Sequence, residues 1–300
     1  MARRRHAGGM LLALCALGLA ISPSQLEIRG SYPILQDVFV NGKGPYRMLL
    51  DTGAQTSSVR PGVAEETNLR PKFAVELRNT LGSSVASVAS AGQIASGEMT
   101  IRELEVLITA PPPIPGAGRL DGVIGQSFLA RTNYWVDFGK KQVRWDPNGA
   151  LHDCLAGERL NFVWAEGRPA MEARFRADGG ARRTLVLDSG ASHLILFGWR
   201  DSANVATSGL LRTAQQQSAT RVIRVESVAV GGLNWRGLTA GAVSTENSQA
   251  GGLFPAHLLK SFYVNNREQY VLAAPRVSER CASGPTGPLA HRGAPVEKAW

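Results

Sequence analysis

The chain carries the same pattern twice, and this internal repeat constrains the fold more than any other feature of its 300 residues. In each half, three apolar residues lead into an aspartate that is followed by a hydroxyl residue, Gly and Ala. The two copies span residues 48–54 and 185–191, and their aspartates, Asp51 and Asp188, are 137 positions apart. A repeat of this length indicates two copies of one structural unit in a single chain.

Turn signals precede both aspartates with the same spacing. Asn41-Gly42 and Asp178-Gly179 each lie ten positions before the aspartate of their half. Asn-Gly and Asp-Gly are the strongest short hairpin signals, because both residues tolerate a positive φ. Each half is therefore predicted to open with a hairpin whose second strand ends at an aspartate.

Composition and the ends of the repeat favour β structure. The chain has 33 Gly and 16 Pro without a collagen period, which indicates many turns and short strands. Residues 121–145 and 251–272 close the two halves alike, as an apolar strand, a short helix and a strand pair. Residues 80–84 and 213–217, about 30 positions after each aspartate, have the composition of hairpin tips. The predicted fold class is mainly β.

The predicted organisation has five parts. In chain order these are a signal peptide at 1–22, an N-terminal lobe at 27–147, a linker at 148–160, a C-terminal lobe at 161–274 and a flexible tail at 275–300. The first part has three arginines at 3–5 before an apolar run at 10–21, which is shorter than the ~20 residues that cross a bilayer. We therefore expect a periplasmic or secreted protein, with an uncleaved N-terminal anchor as the open alternative and no other membrane contact.

Charge and cysteine usage bear on partners and cofactors. The net charge is +9, but the basic residues are scattered and form no stripe with interleaved aromatics, so no nucleic-acid partner is expected. After the signal only Cys154 and Cys281 remain, too few for a disulfide scaffold and without the His spacing of a zinc site. One disulfide between them is predicted, with two free thiols as the alternative. No metal and no cofactor are expected.

Two aspartates at the ends of strands can act as one catalytic unit. If their turns face each other across a pseudo-twofold axis, the carboxyls come within hydrogen-bonding reach, and like charges that close share one proton. The ionised carboxyl can then take a proton from water while the protonated one donates to a carbonyl oxygen, which is the chemistry of amide hydrolysis. His193 follows Asp188 without a G-x-S-x-G elbow, so a serine hydrolase is disfavoured.

These motifs resemble the signature of the aspartic proteases, and most closely that of the retropepsin type. The resemblance covers roughly residues 28–273 and includes a second landmark of that family, Val123-Ile124-Gly125. It implies two pseudo-symmetric retropepsin-like β-barrel lobes in one chain, a cleft between them and flaps at the two hairpin tips. It also implies an aspartic endopeptidase that acts as a monomer on a peptide or protein substrate. The implied catalytic residues are Asp51 and Asp188, in active-site turns made of Thr52, Gly53, Ala54, Ser189, Gly190 and Ala191.

The second half departs from the family pattern at two positions. Pro255 stands where the first half has Gly125, and Gly251 stands where it has Asp121. We interpret Pro255 as the start of a helix, which is a favourable place for proline. The alternative is a distorted second lobe. The competing functional hypothesis is therefore a catalytically inactive tandem that binds peptides or a partner protein.

The residue after each Gly bears on the working pH. A Ser or Thr there can donate a hydrogen bond to the catalytic carboxylate, whereas Ala54 and Ala191 cannot donate through their side chains. The pair is therefore expected to hold its shared proton to higher pH than a site with donors at these positions. Thr52 and Ser189 are expected to be structural residues of the turns and not nucleophiles.

Overall fold

The computed structural model describes residues 23–79, 82–176, 181–199, 205–212, 217–244 and 248–278. Within these residues the chain forms twenty β-strands and two short α-helices, so the prediction of a mainly β protein is confirmed. We refer to residues 24–146 as the first half and to residues 155–277 as the second half.

The first half contains strands β1 to β10 and both α-helices. In chain order they are β1 Ser24–Arg29, β2 Tyr32–Val40, β3 Lys43–Leu50, β4 Ser58–Val59, α1 Pro61–Glu66, β5 Pro71–Asn79, β6 Gly82–Ser96, β7 Met99–Ile108, β8 Gly122–Ile124, α2 Gln126–Leu129, β9 Asn133–Asp137 and β10 Gln142–Asp146.

The second half contains strands β11 to β20. They are β11 Leu155–Ala165, β12 Arg168–Phe175, β13 Arg182–Asp188, β14 Leu194–Phe197, β15 Val205–Arg212, β16 Gln217–Val230, β17 Leu233–Val243, β18 Gly252–Pro255, β19 Ser261–Asn265 and β20 Tyr270–Val277. Two 3₁₀ helices, His152–Cys154 and Ala256–Leu259, precede β11 and β19 respectively.

Strand pairing follows the same order in the two halves. In the first half β2 lies between antiparallel neighbours β1 and β3 and also pairs with β6, which pairs with β5 and β7. Strand β3 runs parallel to β8, and β4 joins β8 to β7. Each of these pairings has its counterpart among β11 to β18, including the parallel pair β13 and β18.

A further antiparallel sheet joins the two halves. Its order is β1, β10, β9, β19, β20 and β11, so each half contributes three strands. Within this sheet the halves meet where β9 pairs with β19, from Ser261 opposite Asp137 to Val264 opposite Tyr134. All four of these strand residues except Ser261 are buried, so this sheet is part of the core.

The strand residues directly before the two aspartates are completely buried. Leu49 and Leu50 in β3, and Val186 and Leu187 in β13, have no exposed surface. Continuous apolar runs of this kind are typical of strands covered on both faces, and here each run is paired in parallel with a short strand of its own half. The sequence before each aspartate therefore anchors the aspartate to the middle of its half.

The turn predicted at Asn41-Gly42 is confirmed. Both residues have positive φ, +49° and +77°, and they connect Val40 of β2 to Lys43 of β3. The matching prediction at Asp178-Gly179 lies outside the described residues, as do positions 80–81 and 213–216 of the two predicted hairpin tips. The strands that lead into those tips are paired up to positions 79 and 82 and up to positions 212 and 217.

The predicted linker and tail need correction. Residues 155–160 of the predicted linker belong to β11, and residues 275–277 of the predicted tail belong to β20, because these two strands pair from Leu155 opposite Val277 onward. A register shift between Ala156 and Glu158 interrupts the alternation that would have indicated a strand. The first half likewise begins at Ser24 rather than at residue 27.

No helix in the described part of the chain is both long and apolar enough to cross a membrane. The predicted signal peptide at 1–22 and residues 279–300 of the predicted tail lie outside that part.

Candidate active site

The two aspartates predicted from the repeat lie at equivalent strand ends. Asp51 follows β3 directly, and Asp188 is the last residue of β13. The Asp51 backbone N–H donates to the carbonyl oxygen of Ile124 at 2.9 Å, while Asp188 lies opposite Pro255 in the parallel pairing of β13 with β18. Each carboxyl is therefore placed by the central parallel strands of its own half.

The two active-site turns hold each other through four hydrogen bonds. Thr52 Oγ1 donates to the carbonyl oxygen of Leu187 at 2.6 Å and accepts from the Ser189 N–H at 2.9 Å. In the reciprocal arrangement Ser189 Oγ donates to the carbonyl oxygen of Leu50 at 2.7 Å and accepts from the Thr52 N–H at 3.0 Å. Both side chains are buried. Thr52 and Ser189 thus act as structural residues in the described contacts, as their sequence suggested.

The structure brings the Asp51 and Asp188 carboxyls together. Each carboxyl packs on the glycine of the opposite turn, and the two carboxyls are close enough for each to affect the pKa of the other. A Cβ on Gly53 would lie 2.4 Å from Cγ of Asp188, and a Cβ on Gly190 would lie 2.6 Å from Cγ of Asp51. Because such contacts are far inside van der Waals distance, the close approach of the carboxyls requires Gly at both positions.

Hydrogen bonds from the turns favour one ionised carboxyl over the other. Asp51 Oδ1 accepts from the N–H groups of Gly53 at 2.8 Å and Ala54 at 3.1 Å. Asp188 Oδ1 accepts one such bond, from the Gly190 N–H at 2.7 Å. Backbone donors stabilise a carboxylate, so the Asp51 turn stabilises the ionised form more than the Asp188 turn does.

Burial raises the pKa of both aspartates. For Asp51 the loss of hydration raises the pKa, and the Gly53 N–H is the largest of the opposing effects. For Asp188 burial is again the largest cause, the negative charge of Asp51 adds to it, and the pKa lies well above its usual range. These directions favour a proton on Asp188 beside an ionised Asp51.

A buried glutamine that the sequence analysis did not select supports the Asp51 turn. Gln126 Nε2 donates to the carbonyl oxygen of Thr52 at 2.7 Å, and the Gln126 backbone N–H donates to the carbonyl oxygen of Ala54 at 2.8 Å. Gln126 follows the landmark Val123-Ile124-Gly125 directly, which is the signal that could have identified it. In the second half this position is Ala256, because Ile124 and Phe254 lie at equivalent places in the parallel pairings.

Pro255 fits the second half without distortion. In the first half the Gly125 N–H donates to Ser57 Oγ at 3.0 Å. Proline has no N–H, and the residue equivalent to Ser57, six positions after the aspartate, is the apolar Leu194. Pro255 ends β18 and directly precedes the 3₁₀ helix Ala256–Leu259, which agrees with its interpretation as a helix start. The second half therefore lacks both the donor and the acceptor of this hydrogen bond, and neither is left without its partner.

Gly251 lacks the two side-chain contacts of Asp121 but keeps its backbone contact. Asp121 accepts from the Arg47 N–H and from Arg60 Nε at 3.0 and 2.8 Å. Gly251 has no side chain to do so, but its carbonyl oxygen accepts from the Phe197 N–H at 3.0 Å, as that of Asp121 accepts from the Arg60 N–H at 2.9 Å. The backbone around the strand end is thus the same in both halves.

The predictions about the disulfide and about metal binding have different outcomes. Cys154 is disulfide-bonded, and its carbonyl oxygen accepts from the Ser278 N–H at 2.7 Å at the end of β20. The predicted partner Cys281 lies outside the described residues, so that pairing stays a prediction. Among the described residues no group of three or more His, Cys, Asp or Glu side chains is arranged to hold a metal ion.

Comparison with known protein families supports one part of the resemblance. A sequence model of the family described as "gag-polyprotein putative aspartyl protease" matches residues 36–131, about a third of the chain. The match includes β3, the Asp51 turn and the Val123-Ile124-Gly125 landmark, and it ends before the second half. A search of curated proteins gives no match. The first half is therefore similar to aspartyl proteases of retropepsin type.

Proposed function

We propose that the protein is an aspartic endopeptidase in which Asp51 and Asp188 activate a water molecule to hydrolyse a peptide bond. The observation that carries the proposal is the direct contact of two carboxyls from turns that hold each other through Thr52 and Ser189. The match of the first half to an aspartyl protease family supports the same class of chemistry.

The two carboxyls have different roles in this mechanism. Asp51 is the general base, because two backbone N–H groups stabilise its carboxylate. Asp188 is the general acid, because burial and the neighbouring charge of Asp51 raise its pKa and keep it protonated. A buried pair with one proton presents an acid and a base to the same bound peptide group.

The reaction conserves the protons of the pair. Asp51 takes a proton from water while the water oxygen bonds to the carbonyl carbon, and Asp188 gives its proton to the carbonyl oxygen. In the second step Asp51 passes its proton to the leaving nitrogen, the C–N bond breaks, and Asp188 recovers a proton from a hydroxyl of the tetrahedral intermediate. The pair returns to its starting state without a covalent enzyme adduct.

The test is the separate replacement of the two carboxyls. Asp51→Asn and Asp188→Asn should each lower kcat on a cleaved peptide by about 10³-fold, since each variant leaves a pair that cannot exchange protons. A peptide library analysed by mass spectrometry supplies the cleaved sequence. The matched control is Asp153→Asn, which removes a carboxyl that is 91% exposed and should leave turnover unchanged.

Two outcomes would contradict the proposal. Turnover near the parental level in either Asn variant would exclude a two-aspartate mechanism. Saturable peptide binding by the parent without cleavage of any library member would favour the alternative, a peptide- or protein-binding module that has lost its chemistry.

We further propose that the enzyme works outside the cytoplasm, in the periplasm or after secretion. Three arginines and a short apolar run at the N-terminus support export, and so does the disulfide at Cys154, because disulfides persist in oxidising compartments. Detection of the chain in the extracellular or periplasmic fraction, with its N-terminus beyond residue 20, would test this assignment.

A further inference from the structure

An unusual turn in the second half lies beside the Asp51 turn. Strands β11 and β12 are joined by Glu166 and Gly167, which have φ of +51° and +73°, with Ala165 paired to Arg168 across the turn. A side chain other than Gly or Asn is strained at positive φ, and the corresponding turn between β1 and β2 has Gly30 at φ +60° in this place. Glu103 and Lys141 share this conformation, so the contacts of Glu166, and not its φ, indicate its role.

Glu166 connects three segments of the molecule. Its carbonyl oxygen accepts from Nε2 of Gln55, four positions after Asp51, at 2.6 Å. Its carboxylate accepts from the Gln249 N–H at 2.9 Å and from Nη2 of Arg168. The turn is therefore attached to the Asp51 turn on one side and to the segment before β18 on the other.

Arg168 is a mostly buried cation with an incomplete set of partners. Its side chain is 14% exposed, and its buried Nε has no hydrogen-bond partner among the described residues. The antiparallel register of β12 and β13, which pairs Ala170 with Val186, brings Arg168 level with Asp188 two residues farther along. From this place its positive charge opposes the effect of burial and lowers the pKa of both aspartates. The equivalent position in the first half, judged by the hairpin pairing, is the uncharged Tyr32. The cation is thus present on one side of a site that is otherwise nearly symmetric.

We propose that Arg168, held by Glu166, is a positioning residue that stabilises the ionised carboxylate of the Asp51–Asp188 pair and so sets the pH range in which the pair works. The inference rests on the proposed function for its kinetic test only. It gives the contacts of Glu166 a common purpose: the carboxylate holds the guanidinium while the carbonyl oxygen holds Gln55, which follows the turn of Asp51.

Few other charged groups compete with Arg168 at this place. Among the described residues, the strongest effects of charge on the two carboxyls are that of Asp51 on Asp188 and that of Arg168 on both. Glu166 faces Arg168 and partly neutralises it. Two histidines follow the Asp188 turn and Pro255 in the sequence: His193 is exposed, and its charge, after burial, lowers the pKa of His257.

The kinetic experiment compares variants whose effects should have opposite signs. Arg168→Met keeps the length of the side chain and removes the charge, so the acid limb of kcat/KM should move up by roughly one pH unit. Arg168→Lys keeps the charge and should leave the limb within a few tenths of a unit of the parent. Glu166→Gln keeps the volume and one of the two acceptor oxygens and removes the neutralising charge, so the limb should stay in place or move down.

A second Glu–Arg pair on the same strand is the matched control. Glu172 and Arg174 of β12 have the same spacing as Glu166 and Arg168, but Arg174 is 61% exposed and lies 3.6 Å from Glu172. Arg174→Met changes the net charge as Arg168→Met does and should leave both limbs of the profile in place. A shift of the same size in Arg174→Met would mean that net charge and not position is responsible, and would overturn the proposal.

A structural role alone would give a different pattern. If Arg168→Met lowered kcat without moving either limb, or if Arg168→Met and Glu166→Gln moved the acid limb in the same direction, Arg168 would act only by packing. Either result would overturn the proposal. Thermal unfolding of each variant identifies chains that fail to fold, and Arg168→Lys with Glu166→Gln then remains as the informative pair.

A direct titration separates this inference from the proposed function. In chains labelled with ¹³C in the aspartate carboxyls, the Asp51 signal is the one lost in Asp51→Asn. In the Asp188→Asn background Asp51 titrates alone, and adding Arg168→Met should raise its pKa whether or not the chain cleaves peptides. An inactive parent with this shift would refute the proposed function and support the inference. An active parent without the shift would do the reverse.

Discussion

The two active-site turns have the same pattern of backbone hydrogen bonds but differ in the side chains that support them. Thr52 and Ser189 make the same pair of bonds in opposite directions, and the carbonyl oxygens of Asp121 and Gly251 accept equivalent bonds. Only the Asp51 turn has the amide of Gln126 beneath it, where the other turn has Ala256. A duplicated site can therefore keep the contacts that place its carboxyls and lose those that support one of them.

This difference has a chemical consequence for the pair. The Asp51 carboxylate accepts two backbone donors, and the Asp188 carboxyl accepts one and lies in the field of a neighbouring charge. An exactly symmetric pair would give its shared proton no preferred side. Here the hydrogen bonds favour the negative charge on Asp51 and the proton on Asp188.

The largest effect on stability is expected from the reciprocal hydrogen bonds of Thr52 and Ser189, which the two turns have in common. Thr52→Val and Ser189→Ala each remove a buried hydroxyl and leave a backbone N–H and a carbonyl oxygen of the opposite turn without their partners. Each variant should lower the free energy of unfolding by about 2 to 4 kcal/mol, measured by urea denaturation. The exchanges Thr52→Ser and Ser189→Thr keep the hydroxyls and should cost less than about 1 kcal/mol. If only one of the two turns were sensitive, the reciprocal bonds would not be equivalent.

A smaller effect on stability is expected from Gln126, which supports the Asp51 turn and has no counterpart at the Asp188 turn. Gln126→Ala gives the Asp51 turn the residue that the Asp188 turn already has at this place and leaves the Thr52 carbonyl oxygen without its donor. It should cost about 1 to 3 kcal/mol of unfolding free energy and lower kcat more than it changes KM. Gln126→Met keeps most of the volume and should lose the same hydrogen bond. A Met variant as stable and active as the parent would mean that Gln126 only fills space.

Local patterns in the sequence identify the elements that this site is built from. The Asn41-Gly42 turn, the buried run before each aspartate and the landmark at 123–125 are short segments whose chemistry determines their backbone. The hydroxyls of Thr52 and Ser189 could be assigned a structural role because they lie in the tight turn that directly follows each buried run. Their exact partners across the pair of turns follow from the repeat only once the two halves are placed face to face.

The remaining features depend on contacts between distant parts of the chain. Gln126 reaches a carbonyl 74 positions away, and Glu166 accepts from a side chain 111 positions away, so neither role leaves a local pattern. The start of β11 was hidden by the register shift at Gly157, where a Cβ would lie 2.8 Å from the carbonyl oxygen of Ala273. In each case the partner strand or turn, and not the intrinsic preference of the segment, decides the outcome.

The last prediction uses the unequal pKa values of the two aspartates to separate their effects on stability. Burial raises the pKa of Asp188 in the folded chain well above the ordinary 3.8 that it has when unfolded, so folding takes up a proton at any pH between those two values. Stability due to this group is therefore intact below about pH 4 and is lost as the pH rises through the folded pKa.

Asp188→Asn carries no such penalty and should be more stable than the parent at pH 7, with the gain vanishing at pH 4. Asp51→Asn should gain less, because its pKa is raised less, and Asp153→Asn, with its exposed side chain, should gain nothing. Urea denaturation of the four chains at both pH values makes the comparison, and a larger gain for Asp51→Asn than for Asp188→Asn would reverse the assignment of acid and base.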